Sequence, residues 1–391
     1  MSMIDTLSML STSDLICLAG LVFCFVIQML FYWIVFAKPY RYVKKLKSGR
    51  IDVSSEQPPV SVIVSVKNEF YDLNDFLPSI LEQNYPHFEV IIVNDGHSDE
   101  NELALNVLQN KYANLYATRI PDGTRSISRK KLALSLGIKA SKHELLLFTE
   151  ADSCPKSPEW ISLMLRHIRD SKSIVLGLSV KEKKKGFLSS FIAFDYLFSN
   201  LKFLTLALFN RPYAGDGHNL LYTKDHFERE KGYCKYHFLV PGEDDLFINT
   251  IANKHNTSVE LSPDSVVETK IEGIYDYRQR KIDRESASYF MKKGPVCFWR
   301  IESYTRVAFY LFLIFCFVEK ELVSLLPIAA AAVFILRLLS QIVVWFKTHK
   351  SLKLGRLPLF FPFYDFFQPF MNVSVFLYRV FKLKNSFVSK L

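Results

Sequence analysis

Five segments between residues 58 and 247 limit what this chain can become: PPVSVIVSVKNE, EVIIVNDGHSD, LFTEADSCP, AGDGHNLLY and GEDDLF, in that order. Most place a carboxylate or an amide directly after an apolar, β-branched run, the pattern of a buried strand that ends in a polar loop. VSVIVSV (60–66), FEVIIVND (88–95), NLYATRI (114–120) and ELLLFTE (144–150) read as strands. DLNDFLPSILEQ (72–83), SDENELALNVLQNKY (98–112) and RKKLALSLGIKAS (129–141) alternate with them at helical spacing. Strand and helix in this alternation predict an α/β fold with a parallel sheet covered on both faces. Such sheets bind ligands outside the carboxyl ends of their strands. Acids gathered there suit a metal ion and a diphosphate. No G-x-G-x-x-G follows the first strand, which argues against a dinucleotide oxidoreductase.

Apolar residues are concentrated outside this region. Residues 15–37 form a run broken only by Gln28, long enough to cross a bilayer. It is too long for the core of a cleaved leader, and no Lys or Arg precedes it, so a retained anchor is expected. Lys38, Arg41, Lys44, Lys45, Lys47 and Arg50 follow closely and put residue 38 onward on the cytosolic side. Residues 303–318 and 322–346 read as a helical hairpin, and 357–381, with three prolines and many aromatics, as an interfacial or re-entrant segment. Residues 187–209 are apolar enough to span. A crossing there would separate TEAD from GEDD, so an interfacial helix is favoured. Three spans are expected, four at most. The net charge of +10 meets no helix-turn-helix, zinc or stacking motif, so no nucleic-acid partner is expected. Six cysteines show neither a CxxC pair nor a framework and read as reduced thiols.

Together the five segments resemble the family 2 glycosyltransferases with the GT-A fold, over roughly residues 58–300, and most of all bacterial membrane-attached members. The resemblance implies a GT-A (Rossmann-like, nucleotide-diphospho-sugar transferase) domain at 51–300. An N-terminal transmembrane anchor with its basic segment (1–50) precedes it, and a C-terminal membrane region (301–391) follows. It further implies a multi-pass protein of the bacterial cytoplasmic membrane with its catalytic domain in the cytosol.

The resemblance also assigns residues. Asp95 in VNDG matches an aspartate that contacts the nucleotide base, commonly uracil, and Glu69 in KNE the other acidic residue on the nucleotide side. Lys130 matches a lysine that reaches a phosphate or the ribose, although Arg129 and Lys131 adjoin it. TEAD (149–152) stands where the family has D-x-D, so Asp152 is expected to hold Mg²⁺ or Mn²⁺ against the diphosphate. Glu150 replaces the first aspartate, and binds either the metal or sugar hydroxyls. Asn219 in AGDGHNLLY falls on the sugar and acceptor side, while the neighbouring His218 carries no assignment. GEDDLF makes Asp244 the counterpart of the catalytic base, with Glu243 in reserve. Glu243 and Asp245, as adjacent like charges, are expected to raise its pKa. YDYRQRKIDRES (275–286) lies where processive members carry Q-x-x-R-W. No such tryptophan is present, but Arg280 and Arg284 remain as diphosphate ligands.

The implied function is inverting transfer of a sugar from a nucleotide-sugar, UDP-linked in many members, to a lipid-linked or saccharide acceptor beside the bilayer. Two rivals stay open: a processive polysaccharide synthase, and a non-catalytic sugar-nucleotide-binding membrane protein.

Overall fold

The structure is a computed structural model of the chain. It describes residues 11–66, 70–94, 99–121, 124, 126, 128–169, 171–271, 273–318, 325–355 and 360–382. The chain divides into two compact units, one of residues Tyr42–Lys292 and one made of the residues up to Arg41 together with those from Lys293 onward.

In chain order the helices are α1 (Thr12–Leu30), extended by a π-helical turn (Phe31–Phe36), and α2 (Lys38–Lys47). The middle of the chain holds α3 (Phe70–Leu81), α4 (Asp99–Lys111), α5 (Arg129–Ala140), α6 (Trp160–Leu165), α7 (Phe187–Leu208), α8 (Lys224–Arg229), α9 (Asp245–Ile251) and α10 (Ile274–Ser288). The last three are α11 (Lys293–Val318), α12 (Leu325–Ser351) and α13 (Phe361–Lys382). The strands are β1 (Val60–Val66), β2 (Phe88–Asn94), β3 (Leu115–Arg119), β4 (Leu145–Glu150) and β5 (Ser153–Pro155). They continue with β6 (Ile174–Leu176), β7 (Ser179–Lys181), β8 (Leu220–Thr223), β9 (Thr257–Val259) and β10 (Val267–Thr269).

A seven-stranded sheet in the order β3-β2-β1-β4-β8-β6-β9 forms the middle of the Tyr42–Lys292 unit. Its first four strands are parallel, as the strand–helix alternation requires. β8 runs antiparallel to both β4 and β6, which makes the sheet mixed. A second sheet, β5-β10-β7, was not foreseen, since its strands have only three residues each and show no period.

Side chains alternate across β1, and the alternation sorts the core into two layers. Val60, Val62, Val64 and Val66 pack with Leu73, Leu77, Leu105 and Trp160 on one face. On the other, Ile91 and Val93 meet Ala133 of α5. Helices therefore cover both faces. Gly137 sets the approach of α5, because a Cβ there would lie 2.8 Å from Ile63 Cγ2.

Helix α7 differs from the interfacial helix expected over 187–209. Thirteen of its residues are buried, and most of its apolar surface lies inside the unit. Asp195, which interrupts the apolar run, accepts hydrogen bonds from Tyr277 Oη (2.9 Å) and Lys281 Nζ (2.9 Å) of α10. Hydrophobicity along this stretch is that of a core helix, broken where polar residues face a site.

In the other unit, α1 and α11 pack along one another around Cys17, Leu21, Cys24 and Phe309. Four helices are long and apolar enough to cross a membrane: Thr12–Lys47, Phe187–Leu208, Lys293–Val318 and Leu326–Ser351. With α7 largely enclosed, the other three match the expected spans. Residues 361–382 form one helix containing Pro369.

Candidate active site

The site lies at the carboxyl end of β4, where sequence reasoning puts it. Glu150 is the last residue of β4, and Asp152 follows two residues later in the turn to β5. β8 pairs antiparallel with β4, so the loop before β8 reaches the same edge. That loop brings His218 to the two acids. Its Nε2 is 3.7 Å from Glu150 Oε2 and 3.8 Å from Asp152 Oδ1. One donor atom from each of Glu150, Asp152 and His218 lies within 4.8 Å of the others. His218 Nε2 is buried and makes no hydrogen bond among the described residues. Two carboxylate oxygens and an imidazole nitrogen suit a divalent metal.

Lys130, near the start of α5, joins two parts of the site. Its Nζ is 2.8 Å from Glu150 Oε1 and 2.8 Å from Glu243 Oε1. Burial opposes its charge, but Glu150, Glu243 and Asp244 outweigh burial and hold the ammonium well above its ordinary range. The neighbouring Lys131 points elsewhere. It donates to the carbonyls of Tyr236, Leu239 and Pro241, pinning the segment that leads into GEDD.

Asp244 occupies the cap position of α9 yet makes no side-chain capping bond, so its carboxyl is not spent on the helix. The carboxyl lies over Gly217: a Cβ on that glycine would fall 2.3 Å from Asp244 Oδ2. Gly217 thus makes room for the acid one residue away from His218. Burial pushes the Asp244 carboxyl up to about 8; Lys130 opposes this, while Glu243, Glu150 and Asp216 add to it. The expected rise is present and Glu243 contributes to it, but neighbouring charge is not its main source and Asp245 is not among its causes. Desolvation is the main cause, Glu243 is engaged by Lys130, and Asp245 turns to Arg284 Nε at 3.3 Å.

Asn219 is also corrected. It is almost wholly buried and its amide is used inside the fold. Its Oδ1 accepts from Trp160 Nε1 at 3.0 Å, and its Nδ2 donates to the carbonyls of Leu178 (3.0 Å) and Ser265 (2.9 Å). The residue beside it, His218, faces the acids instead. Arg280 rests over the Tyr196 ring, 5.5 Å from its centroid, and its charge helps keep Glu150 ionised. Arg284 reaches Asp245 and Asn200. Glu69 and Asp95 lie outside the described residues.

Residues not singled out beforehand complete the arrangement. Asp216 accepts from His218 Nδ1 at 2.6 Å, Tyr196 Oη at 2.7 Å, Asn200 Nδ2 at 2.9 Å and the Ser179 hydroxyl. Burial favours protonating Asp216, but His218, Arg284 and the Ser179 hydroxyl keep it well below the usual carboxylate range. A carboxylate two residues before a histidine, in AGDGHN, is the local signal that could have found this pair.

The glycosyl transferase family 2 model matches residues 61–229. That stretch runs from β1 through the metal-type cluster and β8 to the end of α8. Residues 61–229 form a family 2 glycosyltransferase domain. A curated relative, the poly-β-1,6-N-acetyl-D-glucosamine synthase of Staphylococcus epidermidis, is 33% identical over 135 residues, 32% of this chain. The chain thus aligns with about a third (31%) of that relative's length. Among solved structures, the mannosyltransferase PcManGT of Pyrobaculum calidifontis, in complex with GDP-Man and Mn²⁺, matches 85% of this chain and 98% of its own. Its TM-score is 0.53 and its identity 18%, a likeness of fold. S. aureus TarS 1–349 in complex with UDP-GlcNAc matches 75% of this chain and 89% of its own, with a TM-score of 0.39 and 18% identity. The domain has the GT-A fold, flanked by apolar helices near both ends of the chain.

Proposed function

We propose that this protein is a membrane-attached, inverting glycosyltransferase. It moves a sugar from a nucleotide-sugar to a hydroxyl of a lipid-linked or saccharide acceptor at the cytosolic face of a bacterial cytoplasmic membrane. The observation that carries this reading is Asp244, a half-buried carboxyl with no capping role, set over Gly217 beside His218 and the Glu150–Asp152 pair.

In this reading Asp244 is the general base. A base serves best when its pKa lies near the working pH, and burial raises that of Asp244 toward it. Asp244 takes the acceptor proton as the hydroxyl oxygen bonds to the anomeric carbon and the bond to the diphosphate breaks. The sugar inverts in that single displacement. Glu150, Asp152 and His218 would hold a divalent cation, Mg²⁺ or Mn²⁺, whose charge supports the departing diphosphate. Lys130 keeps Glu150 and Glu243 apart from Asp244's proton by pairing with both. Arg280 and Arg284 supply positive charge on the diphosphate side, and Glu69 and Asp95 the nucleotide contacts. The basic run from Lys38 to Arg50 supports the cytosolic orientation.

A processive variant of the same chemistry is favoured by one finding, the relative named as a polysaccharide synthase. The missing tryptophan of Q-x-x-R-W weighs against it.

The purified full chain, in detergent, should release nucleoside diphosphate when given nucleotide-sugars and a divalent metal. Asp244→Asn should cut that release by about 10²–10⁴-fold, the usual worth of a positioned base. Equal release by wild type and variant would sink the assignment. The length of the product, one added sugar or many, separates the two forms of the proposal.

A further inference from the structure

His218 stands out because one ring nitrogen is bonded to a carboxylate while the other faces two acids without a hydrogen bond among the described residues. Asp216 Oδ2 accepts from three donors, Tyr196 Oη, Asn200 Nδ2 and the Ser179 hydroxyl, and Asn200 Nδ2 also donates to Ser179 Oγ. Asp216 Oδ1 takes the His218 ring nitrogen Nδ1 at 2.6 Å and the His218 backbone amide at 3.3 Å. An ionised carboxylate only accepts hydrogen bonds, so Nδ1 must carry the hydrogen. Nε2 is then the nitrogen left to face Glu150 and Asp152, and it is buried without a hydrogen-bond partner among the described residues.

We propose that Asp216, held by Ser179, Tyr196 and Asn200, is a positioning residue that fixes His218 as a nitrogen ligand, and that the site consequently prefers Mn²⁺-type cations to Mg²⁺. The inference rests on reading Glu150, Asp152 and His218 as a cation site. Metal-binding histidines donate their second ring N–H to a carboxylate or carbonyl, and losing that partner costs about 10–100-fold in metal affinity. Mg²⁺ keeps to oxygen ligands and to its water, whereas imidazole favours first-row transition ions. Substituting one nitrogen into an otherwise carboxylate site therefore shifts selectivity without adding charge. The supporting residues come from separate parts of the fold: Ser179 from β7, Tyr196 and Asn200 from α7, Asp216 and His218 from the loop before β8. This network accounts for Tyr196 and Asn200 in the otherwise apolar α7.

The test is metal binding by the full chain in detergent with no nucleotide-sugar or acceptor present. Free Mn²⁺ is followed by electron paramagnetic resonance, with Mg²⁺ added as competitor. Wild type should bind Mn²⁺ at least about tenfold more tightly than Mg²⁺. Asp216→Asn should lose about 10–100-fold in Mn²⁺ affinity and much less in Mg²⁺ affinity. His218→Gln should bring the two metals close together. Unchanged Mn²⁺ affinity in Asp216→Asn, or an unchanged metal ratio in His218→Gln, would overturn the inference. Should Asp216→Asn fail to fold, Asn200→Ala and Tyr196→Phe each remove one donor to Asp216 and should shift the ratio in the same direction; no shift in either overturns it. Because no sugar is present, a failed transfer reaction leaves this result standing. Wild type that binds neither metal would instead remove the cation site itself.

Discussion

Asp244 shows at the scale of one residue how a site is bought with stability. Its folded pKa of about 8 lies above the ordinary 3.8, so between those values the folded chain binds a proton that the unfolded chain has lost. Stability therefore falls as pH rises through that window. The sign is opposite to that of a salt-bridged aspartate. Asp244→Asn keeps the shape and removes the penalty. It should melt higher than wild type at pH 8, with a smaller difference near pH 4, even as transfer is lost. Thermal melting of both proteins at the two pH values checks this; an equal or lower melting temperature at pH 8 would show that the carboxyl is not desolvated. Active sites commonly carry such strain, and removing it commonly stabilises. Neighbouring acids in GEDD suggested a raised pKa, and Glu243 does add to it, but the main cause is burial, which no local pattern reveals.

Helix α5 illustrates the element scale. Its sequence reads as an ordinary helix, and the glycine at 137 appears there as a weakness of about 1 kcal/mol relative to alanine. Packing reverses that judgement. A Cβ at Gly137 would meet Ile63 Cγ2 at 2.8 Å and Val93 Cγ2 at 3.2 Å, both on rigid β-branched side chains in the sheet. Overpacking of that kind costs about 1–3 kcal/mol. Gly137→Ala should therefore lower stability in urea or heat despite its better helix propensity. It should also impair transfer, since α5 carries Lys130 to Glu150 and Glu243. Increased stability would mean that the helix can retreat freely from the sheet. Helix α7 makes the same point: its composition fits a membrane span, yet tertiary contacts enclose most of it.

At the scale of the whole molecule, the unit formed by the chain's two ends has a polar interior of its own. Asp365 of α13 accepts from Arg306 Nη1 at 3.0 Å, Arg337 Nη2 at 2.9 Å, Tyr310 Oη at 2.7 Å and Tyr32 Oη at 3.2 Å, all buried. One carboxylate thus ties α11, α12 and α13 to the π-helical turn after α1. Polar contacts of this kind fix which helices neighbour one another where apolar surfaces alone discriminate poorly. Asp365→Asn would leave two buried guanidinium groups short of a counter-charge, and breaking a buried ion pair costs about 3–5 kcal/mol. A clear drop in melting temperature in detergent is expected. No change would mean that Glu302, beside Arg306, suffices.

Much was legible in the linear pattern. Short apolar runs followed by acids identified β1, β2 and β4, and the order of the motifs identified the family. The long apolar runs identified the helices near both ends. These features are local: a strand or helix declares itself through neighbours in sequence, because its periodicity records which face is buried. What remained hidden depends on contacts between distant residues. The three-residue strands β5, β6, β7, β9 and β10 exist only because partners pair with them. His218 became a candidate ligand, and Asn219 a structural amide, because β8 runs antiparallel to β4 and brings the loop before it to the carboxyl end of β4. Solvent exclusion and hydrogen-bond partnership are properties of the assembled core, and only folding decides which polar groups share it.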